Sequence, residues 1–131
     1  MDVANVDIND LIGKPFDPEG YGPDAYSCYG LLCEVYKRYG IELPITNISV
    51  TMCKQASMKE IQEHMAKWEP IFIPEVPCGV LIRSTNPDFA DHIGVYIGSG
   101  KMLHITIARR AVVDRISEWE NKIIGYYRYI G

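Results

Sequence analysis

Neither an excess of basic charge nor a long apolar run marks this chain. Lys and Arg number 13 against 17 Asp and Glu, a net charge of -4 over 131 residues. Polyanion binding needs a basic surface, and a local pair such as Arg109-Arg110 is too small to make one, so no nucleic-acid partner is expected. Apolar runs stop at pieces such as Ile71 to Ile73, which excludes a membrane-spanning helix from the expectation. Met1 to Asp10 has acids and polar residues but no basic start or apolar stretch, so no secretory signal is expected and synthesis in the cytoplasm is. The four cysteines, Cys28, Cys33, Cys53 and Cys78, form no C-x-x-C pair. A structural zinc site and a disulfide framework are both disfavoured, leaving thiols in a reducing compartment. Repeats, linkers and low-complexity tracts are also missing, and the expectation is a single domain over 1–131.

What is present is a composition able to close one core, with 47% hydrophobic and 23% charged residues. The stretch from Gly13 to Asp24 mixes glycines, prolines and acids and reads as an irregular loop. Ser27 follows as an N-cap, then Leu31, Leu32, Val35, Tyr36 and Tyr39 at helical spacing, with Gly40 as the stop. This predicts a helix from about Cys28 to Tyr39. Ser57-Met58-Lys59-Glu60 has capping-box form and opens a second predicted helix along Met58, Ile61, Met65 and Trp68, bounded by Pro70. From Gly79 onward the pattern is strands: Val80 to Ile82, His92 to Ile97, Met102 to Ile107, Val112 to Ile116 and Ile123 to Ile130. Helices first and antiparallel strands after them make an α+β domain.

Cys28 falls on the first turn of the predicted helix, where unpaired N–H groups and the helix dipole favour a thiolate and can receive an oxyanion. By position alone a small buried cysteine is the slightly better reading, and Cys33, Cys53 and Cys78 are assigned to it. The histidines shift the balance. In His92 to Ile97 the residues Ile93, Val95 and Ile97 form one face, and in Met102 to Ile107 so do Leu103, Ile105 and Ile107. If the two strands form a hairpin, both apolar faces turn to one core, and His92 and His104 share the other face. Matched faces require an odd loop between them, most simply three residues, whereas a two-residue Ser99-Gly100 turn would put His104 in the core. Two histidines on one face can be a base and the group that orients it beside a thiol. His64 reads as a solvated helix residue. A metal site from His92, His104 and Asp91 is disfavoured, because neighbours along a regular strand point to opposite faces.

Taken together these residues resemble the NlpC-type papain-like cell-wall peptidases, in particular the branch found in phage tails. The likeness runs through Leu11-Ile12-Gly13-Lys14-Pro15-Phe16, Ser27-Cys28-Tyr29-Gly30-Leu31, Trp68-Glu69-Pro70 with Pro77-Cys78-Gly79-Val80-Leu81, His92-Ile93-Gly94-Val95-Tyr96-Ile97-Gly98, and Gly100-Lys101-Met102-Leu103-His104. It implies a papain-like fold with the nucleophile helix packed on a C-terminal antiparallel sheet. It also implies Cys28 as nucleophile, His92 as base and His104 as the residue that fixes the His92 ring. The implied substrate is a peptidoglycan stem peptide, often cut between D-glutamate and a diamino acid, without metal or organic cofactor. The chain departs from the family where an Asp commonly precedes the cysteine (Ser27), where an Asp often follows the glycine of the first core strand (Val80), and where a Tyr is replaced by Phe16. Tyr21 and Tyr26 are the alternative hydroxyls.

Three functions compete. The first is an active endopeptidase or amidase acting on the wall after release or on a phage particle, with phage-tail or secretion proteins as partners. The second is a catalytically weak structural or binding module of a tail-like assembly. The third is an intracellular small-molecule amidase or acyltransferase of the same fold.

Overall fold

Ser27 starts the helix as its sequence position requires: its Oγ accepts a hydrogen bond from the Gly30 backbone N–H at 2.9 Å, which satisfies one donor of the first turn. In the computed structural model, which describes residues 6–44, 66–83 and 92–131, this helix is α1 (Cys28–Arg38). It stops one residue short of the prediction. Tyr39 is the C-cap and Gly40 turns the chain away at φ 85°, a left-handed value that glycine adopts without strain. Cys53, His64, Asp91 and the predicted second helix up to residue 65 lie outside the described residues. The residue read as that helix's end, Trp68, instead begins a strand.

Among the described residues six strands form one sheet: β1 (Trp68–Ile71), β2 (Cys78–Ile82), β3 (His92–Gly98), β4 (Lys101–Thr106), β5 (Arg110–Arg115) and β6 (Ile123–Tyr129). Their order is β1-β6-β2-β3-β4-β5, with neighbours antiparallel, so the last strand in sequence is inserted between the first two. The helix packs on β3 and β4, burying Leu31, Leu32 and Val35 in one core with Leu81, Ile93, Val95, Leu103 and Ile105. Each such side chain contributes roughly 2 kcal/mol of hydrophobic burial. The other face is covered as well. Val80, Ile82 and Met102 form a second core under Tyr96, Tyr126, Ile123 and a 3₁₀ turn, Ile116–Trp119.

The β3–β4 hairpin keeps the predicted faces but by another device. Val95 pairs with Leu103 and Tyr96 with Met102, after which the register shifts and Gly98 pairs with Lys101. The loop is therefore the two-residue Ser99-Gly100 turn, with φ 56° and 72°, not a three-residue loop. A bulge just before Gly98 inserts the residue that restores the parity, so His104 does not face the helix. Ile107 was expected in the helix-facing core, but β4 ends at Thr106 and Ile107 is 80% exposed.

Two anchors orient α1 on the sheet. Near its C-terminus, Tyr36 donates from its hydroxyl to the Pro77 carbonyl, and its ring meets Trp68 edge-on at 5.6 Å. That is the end where β2 begins. Cys28 lies about 12 Å back along the axis. The loop before the helix is tied to the opposite end, where Gly13 N–H donates to Ala111, Ala111 N–H donates to Lys14, and Tyr26 N–H donates to Pro15. Ala111, the second residue of β5, lies beside the close of β4, and β3 starts at this same end with His92 paired to Ile82.

Candidate active site

The first turn of α1 is braced from the loop before it. Gly20 places its carbonyl against this turn, where it accepts from Ser27 N–H at 2.8 Å and from the Ser27 hydroxyl at 3.0 Å. The approach is so close that a Cβ on Gly30 would sit 2.0 Å from that oxygen, so only glycine fits. Cys28, the first helical residue, is 2% exposed. The remaining backbone N–H groups of the turn and the positive end of the helix dipole surround it. Cys33 and Cys78 have no such setting: burial pushes their thiols up to about 12 and about 11. Of the alternative hydroxyls, Tyr26 rests its ring tip on Gly22, in the field of Glu34, toward the middle of α1 rather than its first residue. Tyr21 sets its ring edge-on to Tyr29 at 6.4 Å. Phe16 bridges to Tyr26 through the backbone. Val80 sits in the second core, paired with Gly94, where a carboxylate would be costly.

On the sheet face away from the helix, polar side chains form a ladder. His92 Nε2 lies 3.0 Å from His104 Nδ1, and His104 Nε2 lies 2.8 Å from Asp114 Oδ2. Arg109 clamps Asp114 with two hydrogen bonds of 2.7 and 3.0 Å, and the Trp119 indole N–H donates to the same carboxylate at 3.1 Å. His104 has no exposed surface, and Trp119 packs edge-on to its ring at 5.0 Å. Burial lowers the His104 pKa below its ordinary value, against the opposing pull of Asp114. The Arg109 guanidinium, followed by His104 and Trp119 as further donors, holds the Asp114 carboxyl well below the usual carboxylate range.

The structure thus joins His92 and His104, as the shared-face reading predicts, and places Cys28 at the N-terminus of α1, the end of the helix away from the Tyr36 anchor and the start of β2. The sequence reading missed Asp114, Arg109 and Trp119. A signal for Asp114 was present: it is a lone acid in Ala111-Val112-Val113-Asp114, and with Val112 opposite His104 it falls on the histidine face.

A helix with cysteine at its first residue, packed on an antiparallel sheet with a histidine pair on the adjoining strands, places the chain in the papain-like α+β class. The model of the NlpC/P60 family matches residues 13–128, and the chain belongs to that family. It is similar to the probable endopeptidase p60 of Listeria welshimeri, 27% identical over 119 residues covering 89% of this chain and 20% of that protein. The p60 protein of Listeria monocytogenes is likewise 27% identical over 119 residues, with 22% of its length covered. The chain spans about a fifth of the length of these relatives. Among solved structures, an NLP/P60 family protein of Staphylococcus aureus superposes with a TM-score of 0.63 at 20% identity, covering 92% of this chain and 38% of that one. An NlpC/P60 family protein of Bacillus cereus gives 0.60 at 16% identity, covering 99% and 42%. These likenesses establish the fold.

Proposed function

We propose that this domain is a cysteine peptidase that hydrolyses peptide bonds in peptidoglycan stem peptides. The observation that carries the reading is the buried ladder from His92 through His104 to Asp114, which begins at the first residue of β3, at the end of the sheet opposite the one where Tyr36 anchors α1. In this reading His92 takes the Cys28 proton, and the thiolate attacks the scissile carbonyl. The oxyanion is received by backbone N–H groups of the first turn of α1. His92 returns the proton to the leaving amine, and water then hydrolyses the thioester. His104 holds the His92 ring. The bond between D-glutamate and a diamino acid is the preferred target in this reading, which also requires delivery to the wall by release or on a tail or secretion assembly. The family membership and the p60 endopeptidase relatives support it.

The test is incubation with purified muropeptides and mass-spectrometric identification of new amino termini, with Cys28→Ala as control. New termini that vanish in the control are expected; identical products from both proteins overturn the reading. The near-complete enclosure of Cys28 favours a second reading, a wall-binding module of this fold without turnover. Co-sedimentation with intact sacculi in the absence of cleavage would select it.

A further inference from the structure

We propose that Asp114 is a positioning residue that selects, through His104, which nitrogen of His92 is free to accept a proton; this rests on the peptidase reading only for its catalytic consequence. Four donors meet the carboxylate. Asp114 Oδ2 accepts from His104 Nε2, Arg109 Nη1 and Trp119 Nε1, and Oδ1 accepts from Arg109 Nη2. Guanidinium and indole N–H groups cannot accept a hydrogen bond. A protonated Asp114 would have only His104 to donate to, through an oxygen already taken by two other donors. The carboxylate is therefore an acceptor, and the His104 proton is on Nε2.

The consequence passes along the ladder. A neutral His104 with its hydrogen on Nε2 has a bare Nδ1, and the nitrogen that faces it among the described residues is His92 Nε2, 3.0 Å away. His92 must then donate from Nε2, which leaves its Nδ1 lone pair as the base. The histidine pair alone does not choose this direction. With both hydrogens moved, His104 Nδ1–H would donate to a bare His92 Nε2, at the same separation and with the same number of bonds. His92 would then carry its hydrogen on Nδ1 and could not accept one there. Asp114 breaks that symmetry, and Trp119, packed edge-on to the His104 ring, helps hold that ring in place.

The experiment is long-range proton–nitrogen correlation of the imidazoles in the full chain at about pH 8, which reports tautomers without any need for activity. Wild type is expected to show hydrogen on Nε2 in both His92 and His104. Asp114→Ala should leave both rings divided between tautomers. Asp114→Asn should restore the wild-type pattern, because turning its carbonyl toward the three donors at the Oδ2 position leaves only Arg109, half exposed, to swing away. On muropeptides, Asp114→Ala should lower kcat by about tenfold or more with KM little changed, and Asp114→Asn should recover most of it. Hydrogen on Nδ1 in wild-type His92, or an unchanged pattern in folded Asp114→Ala, overturns the proposal. If Asp114→Ala does not fold, the wild-type tautomers and Asp114→Asn still decide. Correct tautomers without wall cleavage would overturn the peptidase reading and leave the role of Asp114 standing.

Discussion

Replacing Ser27 should test whether the first turn of α1 is held from both sides. Its hydroxyl accepts from Gly30 N–H and donates to the Gly20 carbonyl, and the residue has no exposed surface. Ser27→Ala removes both bonds. Gly20 keeps its bond from Ser27 N–H, so the unmet group is the Gly30 N–H, which is buried. Loss of an N-cap costs about 1 kcal/mol, and a buried donor left without a partner raises that to about 2 kcal/mol. Unfolding entropy of about 2.1 cal/mol/K per residue gives about 0.28 kcal/mol/K for this chain, so Tm should fall by about 7 °C. Ser27→Asp is the sharper variant, because an Asp is common here in the family. An aspartate can cap Gly30, but it has no proton for the Gly20 oxygen and is buried beside it. It should therefore be at least as destabilising as Ser27→Ala. Calorimetry and urea midpoints on the three proteins measure this, and far-UV dichroism checks the fold. A Tm for Ser27→Ala within about 2 °C of wild type would refute the two-sided brace. A Ser27→Asp protein as stable as wild type would show that the Gly20 contact contributes nothing.

Three further outcomes follow from the same geometry. Limiting iodoacetamide at mildly acidic pH should label Cys28 before Cys33 and Cys78, whose thiols burial pushes up to about 12 and about 11; peptide mapping showing equal labelling of these three would count against an activated Cys28. In muropeptide cleavage, His92→Ala and Cys28→Ala should each lose nearly all turnover, while His104→Gln retains more than His104→Ala because it still offers His92 an acceptor; near-normal turnover in His92→Ala with none in His104→Ala would reverse the roles. Stability should also fall with acidity through His104, whose folded pKa is depressed: below its ordinary 6.5 the unfolded chain binds a proton that the buried ring refuses. Urea midpoints between about pH 8 and about pH 5 should slope more steeply in wild type than in His104→Gln, and parallel slopes would contradict a buried neutral imidazole.

Much of the site was legible because it rests on short-range rules. Ser27 and Gly40 bound α1 through local capping chemistry, and period-two alternation assigned His92 and His104 to one face without any knowledge of what covered it. The missed features come from contacts between distant parts of the chain. Trp68 to Ile71 is a strand because β6, some sixty residues on, pairs with it and because Tyr36 and Tyr129 pack on Trp68. Its own residues fit the end of a helix equally well. The hairpin parity was readable, but a bulge and an odd loop satisfy it alike, and only the backbone distinguishes them. Asp114 was passed over because an acid near a strand end is ordinarily a solvated one.

Asp114 also explains how a wholly buried histidine is tolerated. A lone imidazole in the core would leave two polar nitrogens without partners, each costing about 1–3 kcal/mol. His104 has both satisfied, but the second partner is a carboxylate that would itself be costly to bury. Arg109 resolves this from the exposed end, where its side chain is 49% accessible and neutralises Asp114. Its positive charge also opposes protonation of His104, acting together with burial. The ladder therefore runs from a hydrated cation, through a fixed anion, to a neutral ring and then to His92. Its formal charges lie at the Arg109–Asp114 end, and the inner members differ only in where their hydrogens lie. Such an arrangement fixes proton positions without storing net charge beside His92. A two-residue turn lacking the bulge would break the ladder at its His92–His104 step, since His104 would then face Leu32 and Val35 and, through the β4–β5 pairing, carry Asp114 with it, while His92 stayed on the other face.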